Sequence, residues 1–203
     1  MKSLYVTDRA AIGDRALGEI LDRLRRAESL TVQLREKTIG DVAYRDLARE
    51  ARSRIGPDVP LWVNRRFDIA LAAGAAGVHL PSNGLPLDRV KAATPRGFGV
   101  GLSTHSAAEA KSAIEKRADL VVIGPIFSTP SKTGPGSPLG PVTLAELPPT
   151  SGHSSEVYAI GGVDEEHLQR LMPYRDRITG VAAIRMFQEA SDPRAVAARL
   201  AEL

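Results

Sequence analysis

Three polar side chains at alternating positions, Gln33, Arg35 and Lys37, stand where an apolar run ends. In an extended segment every second side chain faces the same way, so the three would present one amide and two cations to one side. Such a set would be wasted as solvated surface and suits a ligand role, while Arg185 offers the guanidinium that pairs with phosphate oxygens through two parallel N–H groups. Other apolar runs close in the same manner, with Asn64-Arg65, His79, Ser103-Thr104-His105, Gly161-Gly162 and Ile184-Arg185. Gly161-Gly162 reads either as a tight turn or as backbone N–H groups bared for close approach to a phosphate. A long stretch from Ile126 to Pro141, rich in Ser, Thr, Pro and Gly, adds Thr129, Ser131 and Lys132. His79 and His105 lie at run ends, where a neutral imidazole can act as a base near pH 7. His153 and His167 read as surface.

Eight short apolar runs carry these residues: 3–7, 30–35, 60–64, 77–80, 99–103, 120–124, 157–160 and 180–184. Most are continuously apolar, as strands of a parallel sheet buried on both faces must be. Amphipathic segments lie between them, near 16–28, 43–55, 66–73, 87–93, 106–117, 143–147, 166–171 and 193–203. Asp192-Pro193 offers an N-cap followed by a proline at the first helical position, and Ser106 to Glu109 has capping-box spacing. The alternation predicts a single α/β domain over residues 1–203, a (β/α)8 barrel of the TIM type. A doubly wound open sheet has the same local pattern, but no G-x-G-x-x-G fingerprint follows the first run. In a barrel, all these polar run ends would meet at one mouth.

Composition narrows the partners. The chain has 203 residues, 43% hydrophobic and 25% charged, which is ordinary globular usage. A net charge of +3 with only 4% aromatic residues gives no stacking platform, so nucleic acid is not an expected partner. No apolar run approaches the roughly 18–20 residues of a membrane span. The start turns polar too early for a secretory segment, so a cytoplasmic protein is expected. The absence of cysteine excludes disulfides, thiolate nucleophiles and cysteine-ligated metal. A homo-oligomer is compatible with the sequence.

The ordered set of motifs resembles one family, the thiamine phosphate synthases and their TenI-type relatives, the thiazole tautomerases. Leu4-Tyr5-Val6-Thr7-Asp8, Gln33-Leu34-Arg35-Glu36-Lys37, Gly77-Val78-His79-Leu80 and Ser103-Thr104-His105-Ser106 match in order. Gly124-Pro125-Ile126-Phe127, Thr129-Pro130-Ser131-Lys132 and Ala159-Ile160-Gly161-Gly162 follow. The resemblance implies a small phosphorylated thiazole-type ligand. It assigns Gln33, Arg35, Lys37, Asn64, Ser103 and Lys132 to a pyrimidine diphosphate, with Arg65 beside them. It assigns Thr129, Ser131, Gly162, Ile184 and Arg185 to a thiazole phosphate, with Gly161 in the same turn; a serine is usual where Arg185 stands.

Two departures bear on the chemistry. The synthases hold Mg²⁺ with two aspartates, and here Arg65 and Gly84 occupy those positions. The resemblance therefore implies no metal cofactor and favours a metal-independent TenI-type tautomerase, with a synthase of altered diphosphate site or a non-catalytic thiazole phosphate-binding regulator as alternatives. The tautomerases carry a histidine where this chain has Pro125. The catalytic candidates are then His79, His105 and Lys132.

Overall fold

The computed structural model describes residues 1–12, 17–129 and 137–203. Its strands are β1 (Lys2–Val6), β2 (Leu30–Leu34), β3 (Leu61–Asn64), β4 (Gly77–Leu80), β5 (Gly99–Thr104), β6 (Leu120–Ile123), β7 (Glu156–Ile160) and β8 (Gly180–Ala183). All neighbours pair in parallel and β8 returns to β1, so the sheet closes into a barrel and the open-sheet alternative is excluded. The register of closure pairs Leu4 with Ala182 on one side and with Thr31 on the other.

The period of two along each strand divides the core. Outward residues such as Val32, Val63, Val100, Ile123 and Val157 pack under the helices. Those helices are α1 (Arg9–Ile12), α2 (Leu17–Leu24), α3 (Asp41–Ile55), α4 (Phe67–Ala72), α5 (Leu87–Ala93), α6 (Ala107–Glu115), α7 (Glu165–Leu171), α8 (Arg185–Gln188) and α9 (Pro193–Glu202). Inward residues Leu4, Val6, Trp62, Leu120, Val122, Tyr158 and Ala182 form a second cluster inside the ring. Trp62 fits there because β4 and β5 present bare backbone to it. A Cβ at Gly99 would sit 2.6 Å from Trp62 Cη2, and one at Gly77 would sit 2.8 Å from Cζ3.

The anticipated caps are present. Ser106 accepts from the Glu109 N–H at 3.1 Å, and Asp192 accepts from the Arg194 and Ala195 N–H groups at 3.0 and 3.3 Å. Two expectations need correction, and two short helices were not anticipated. The segment at 143–147 is a 3₁₀ turn, Pro141–Glu146, because Leu147 precedes a proline and is held extended at ψ 151. Helix α2 stops at Leu24, since left-handed Arg26 and Ser29 turn the chain into β2. The four-residue helices α1 and α8 are too short to show a periodicity.

Adding one methyl group at the floor tests this packing. Gly99→Ala should destabilise the fold by about 1–3 kcal/mol through overpacking against a rigid indole, read as a lower urea midpoint. An unchanged midpoint would show that the ring is not confined by β5.

Candidate active site

The segment after β2 is held by a threonine at the end of β1. The Thr7 N–H donates to Gln33 O at 3.0 Å, and its hydroxyl accepts from the Arg35 N–H at 2.9 Å. The same hydroxyl donates to Glu36 Oε1 at 2.8 Å, while the Arg9 N–H reaches Glu36 Oε2 at 3.3 Å. Glu36 is thus drawn onto the end of β1, and burial pushes its carboxyl pKa up. Arg35 and Lys37, on either side of it, have no ion pair among the described residues and line the mouth of the barrel. The Tyr44 hydroxyl, from α3, donates to Leu34 O at 2.8 Å and lies 3.3 Å from Asn64 O, tying the ends of β2 and β3 together.

Two adjacent arginines after β3 have different fates. Arg65 adopts φ 68, and its N–H donates to His79 O at 2.9 Å. Arg66 is spent on Asp68 and Asp41, whereas Arg65 has no carboxylate partner among the described residues and faces the mouth. Inside the ring, Gln33 Nε2 donates to Asn64 Oδ1 at 3.3 Å, and His79 Nε2 lies 2.8 Å from Ser103 Oγ. Burial, reinforced by the charge of Arg35, pushes the His79 pKa down to about 3, so the ring is neutral at physiological pH. His79 Nδ1 has no partner among the described residues and packs over Gly101. His105 is exposed and differently wired. Its Nδ1 lies 2.7 Å from Gly124 O, and because a carbonyl only accepts, Nδ1 carries the hydrogen and Nε2 of the neutral ring holds a lone pair.

Across the mouth, Gly161 and Gly162 have φ 102 and φ 63 and lie against the segment after β6. A Cβ on Gly162 would fall 2.4 Å from Ser128 O, so a side chain is excluded there. The Gly161 O accepts from the Phe127 N–H at 3.0 Å, while the N–H groups of both glycines have no protein acceptor among the described residues. Arg185 opens α8, is exposed, and has no ion pair among the described residues.

These features share one cavity of about 1450 Å³. It brings together Gln33, Arg35, Lys37, Asn64, Arg65, His79, Ser103, His105, Thr129, Gly161, Gly162, Ile184 and Arg185. Ser131 and Lys132 lie outside the described residues. The reading of His167 as surface is corrected: it lines the cavity, stacks 4.1 Å from the Phe127 ring, and its Nδ1 lies 2.8 Å from Asp164 Oδ1. His153 is also half-buried, with both ring nitrogens enclosed and without a partner among the described residues. Asp8, Ser82, Asn83 and Asp164 are further lining residues that the motif reading passed over. A polar residue just past a strand end was the available signal for Asp8 and for Ser82-Asn83.

A family model described as thiamine monophosphate synthase matches residues 4–187. The chain belongs to the thiamine monophosphate synthase family. It is similar to the thiamine-phosphate synthase of Syntrophomonas wolfei, 33% identical over 203 residues, covering 99% of this chain and 95% of that protein. It is also similar to the thiamine-phosphate synthase of Neisseria meningitidis serogroup B, 35% identical over 175 residues, covering 86% and 84%. Among solved structures, thiamine phosphate pyrophosphorylase from Pyrococcus furiosus superposes with a TM-score of 0.79 over 99% of this chain and 94% of that one. At 23% identity that likeness speaks for the fold.

The buried imidazole of this thiamine monophosphate synthase family member gives a pH test. Unfolded histidine binds a proton below about pH 6.5, whereas folded His79 stays neutral to about 3, so stability is complete above the first value and falls as pH drops toward the second. Between pH 6.5 and 4.5 the wild type should lose about 2 kcal/mol more than His79→Gln in urea unfolding. Parallel pH profiles for the two proteins would show that His79 is not held neutral.

Proposed function

We propose that this protein is a thiamine phosphate synthase, a transferase joining a pyrimidine diphosphate to a thiazole phosphate. One observation carries the reading: a single cavity has two separate anion-binding arcs. Arg35, Lys37 and Arg65 stand at the ends of β2 and β3, while Arg185 and the glycine N–H groups stand at the ends of β7 and β8. An isomerase acting on one monophosphate has use for one arc; a reaction between two phosphorylated substrates has use for both. The relatives named as thiamine-phosphate synthases support the same choice. The tautomerase expectation is less well supported, because Pro125 replaces the histidine of that branch and His79 is neutral with its Nε2 on Ser103. What favours it is His105, whose Nε2 retains a lone pair for proton transfer.

In the proposed reaction the bond between the pyrimidine methylene carbon and the diphosphate oxygen breaks, and its electron pair leaves on that oxygen. The thiazole nitrogen gives its lone pair to the same carbon, forming the C–N bond, and no proton transfer is needed. The protein's part is to hold the two substrates in line and to stabilise the charge that develops on the leaving group. Gln33 and Asn64, bonded to each other, and Ser103, bonded to His79, supply the polar contacts for the pyrimidine between the two arcs.

Incubating the native protein with both substrates should yield thiamine phosphate. Arg185→Ala should raise KM for the thiazole phosphate by about 10–100-fold, the loss of a charge-assisted hydrogen bond. Conversion of a thiazole tautomer without any condensation would replace this reading with the isomerase.

A further inference from the structure

We infer that this protein binds its diphosphate substrate with a clamp of side-chain cations, Arg35, Lys37 and Arg65, in place of a divalent metal. The inference rests on the synthase reading for the substrate's identity, while the site itself is argued from the residues. Where the resemblance implies an aspartate as metal ligand, Arg65 brings a guanidinium to the cavity instead. It is held there by a left-handed backbone at φ 68 and by its hydrogen bond to His79 O. A residue other than glycine in that region is uncommon, and such conformations persist where the surrounding structure enforces them.

The second implied ligand position fits no better. Residues Pro81–Gly84 form a tight turn in which the Gly84 N–H donates to Pro81 O at 2.9 Å. A Cβ on Gly84 would lie 2.9 Å from Pro81 Cδ and 3.0 Å from Pro81 O. The turn therefore resists a side chain at 84. Ser82 and Asn83, rather than Gly84, line the cavity.

The remaining carboxylates near this arc are committed elsewhere, with one exception. Glu36 accepts from Thr7 and Arg9, and Asp41 and Asp68 hold Arg66. Among the described residues Asp8 alone lines the cavity on this side without a side-chain partner, and one carboxylate beside three cations makes a poor Mg²⁺ site. Among the described residues no group of three or more His, Asp or Glu side chains is placed to hold a metal ion.

The three cations in turn need an anion. They share one edge of one cavity and no ion pair neutralises them among the described residues, so each raises the cost of the others until a polyanion arrives. Three unit charges match a fully ionised organic diphosphate. Arginine stays protonated throughout the physiological range and offers paired donors to two phosphate oxygens, which is the charge neutralisation a metal would otherwise supply. When the C–O bond breaks, the electron pair left on the diphosphate oxygen is stabilised by these guanidinium and ammonium groups.

Inorganic diphosphate is the probe, titrated calorimetrically into the purified protein in EDTA and again in excess Mg²⁺. Binding in EDTA is expected, with affinity unchanged or weakened by Mg²⁺, which competes for diphosphate in solution. Arg65→Gly relieves the left-handed backbone while removing the guanidinium, so it should fold at least as well as wild type and bind about 10–100-fold more weakly, as losing a charged hydrogen-bond pair does. Arg65→Lys should recover part of that loss. Diphosphate binding that requires Mg²⁺, or Arg65→Gly binding as tightly as wild type, would overturn the inference. Condensation measured in EDTA separates the two readings. If binding needs no metal but no thiamine phosphate forms, only the synthase reading fails; if product forms solely with Mg²⁺, only the clamp fails.

Discussion

A closed ring of parallel strands points every carboxyl end toward the same mouth, and the ring can close only if its interior is filled. Here the filling is asymmetric. Bulky side chains led by Trp62 and Tyr158 occupy the inner cluster, while at the mouth the inward positions of β2 to β5 are polar (Gln33, Asn64, His79 and Ser103) and those of the other strands are apolar (Val6, Val122, Ile160 and Ala182). These polar residues satisfy one another across adjacent strands, Gln33 with Asn64 and His79 with Ser103. The hydrophobic plug and the polar floor of the cavity are therefore two levels of one packing arrangement, and the geometry of the cavity inherits the rigidity of the barrel.

Above that floor, charge placement is decided by backbone conformation more than by composition. Arg65 and Arg66 are consecutive, yet the left-handed turn at Arg65 sends one guanidinium to the mouth and leaves the other to a pair of surface aspartates. The Arg35-Glu36-Lys37 run is sorted in the same way by Thr7, whose hydroxyl takes the carboxylate and leaves the flanking cations uncompensated. Two local hydrogen-bonding choices leave three cations without an ion pair among the described residues at the ends of β2 and β3, while carboxylates such as Asp164 and Asp192 line other parts of the same cavity. The attraction of those three cations for an anion is local to that side of the cavity and is weakened by salt.

The fold was largely legible because a doubly buried parallel strand leaves a continuous apolar run, and each of the eight runs became a strand with ends moved by a residue or so. Helix ends were less legible. Nothing in residues 25–29 announces the left-handed Arg26 and Ser29, and the prolines after Leu147 act through a steric effect on the preceding residue. The cavity-lining residues at strand ends were readable, since a barrel sends all such ends to one place. Partners that act between elements were not: Thr7 on Glu36, Tyr44 on Leu34 and His167 on Phe127 join residues that only the packing of neighbouring elements brings together. The protonation state of His79 was hidden for the same reason, because burial is a property of the folded ring.

Trp62 is the sole tryptophan of the chain and lies inside the ring, 8% exposed, over the bare backbone of Gly77 and Gly99. Indole emission shifts with the polarity of its surroundings, so this protein carries an internal optical gauge confined to the barrel lumen. A red shift would register water entering the ring, while loosening of the outer helices alone would leave the colour of that emission unaltered.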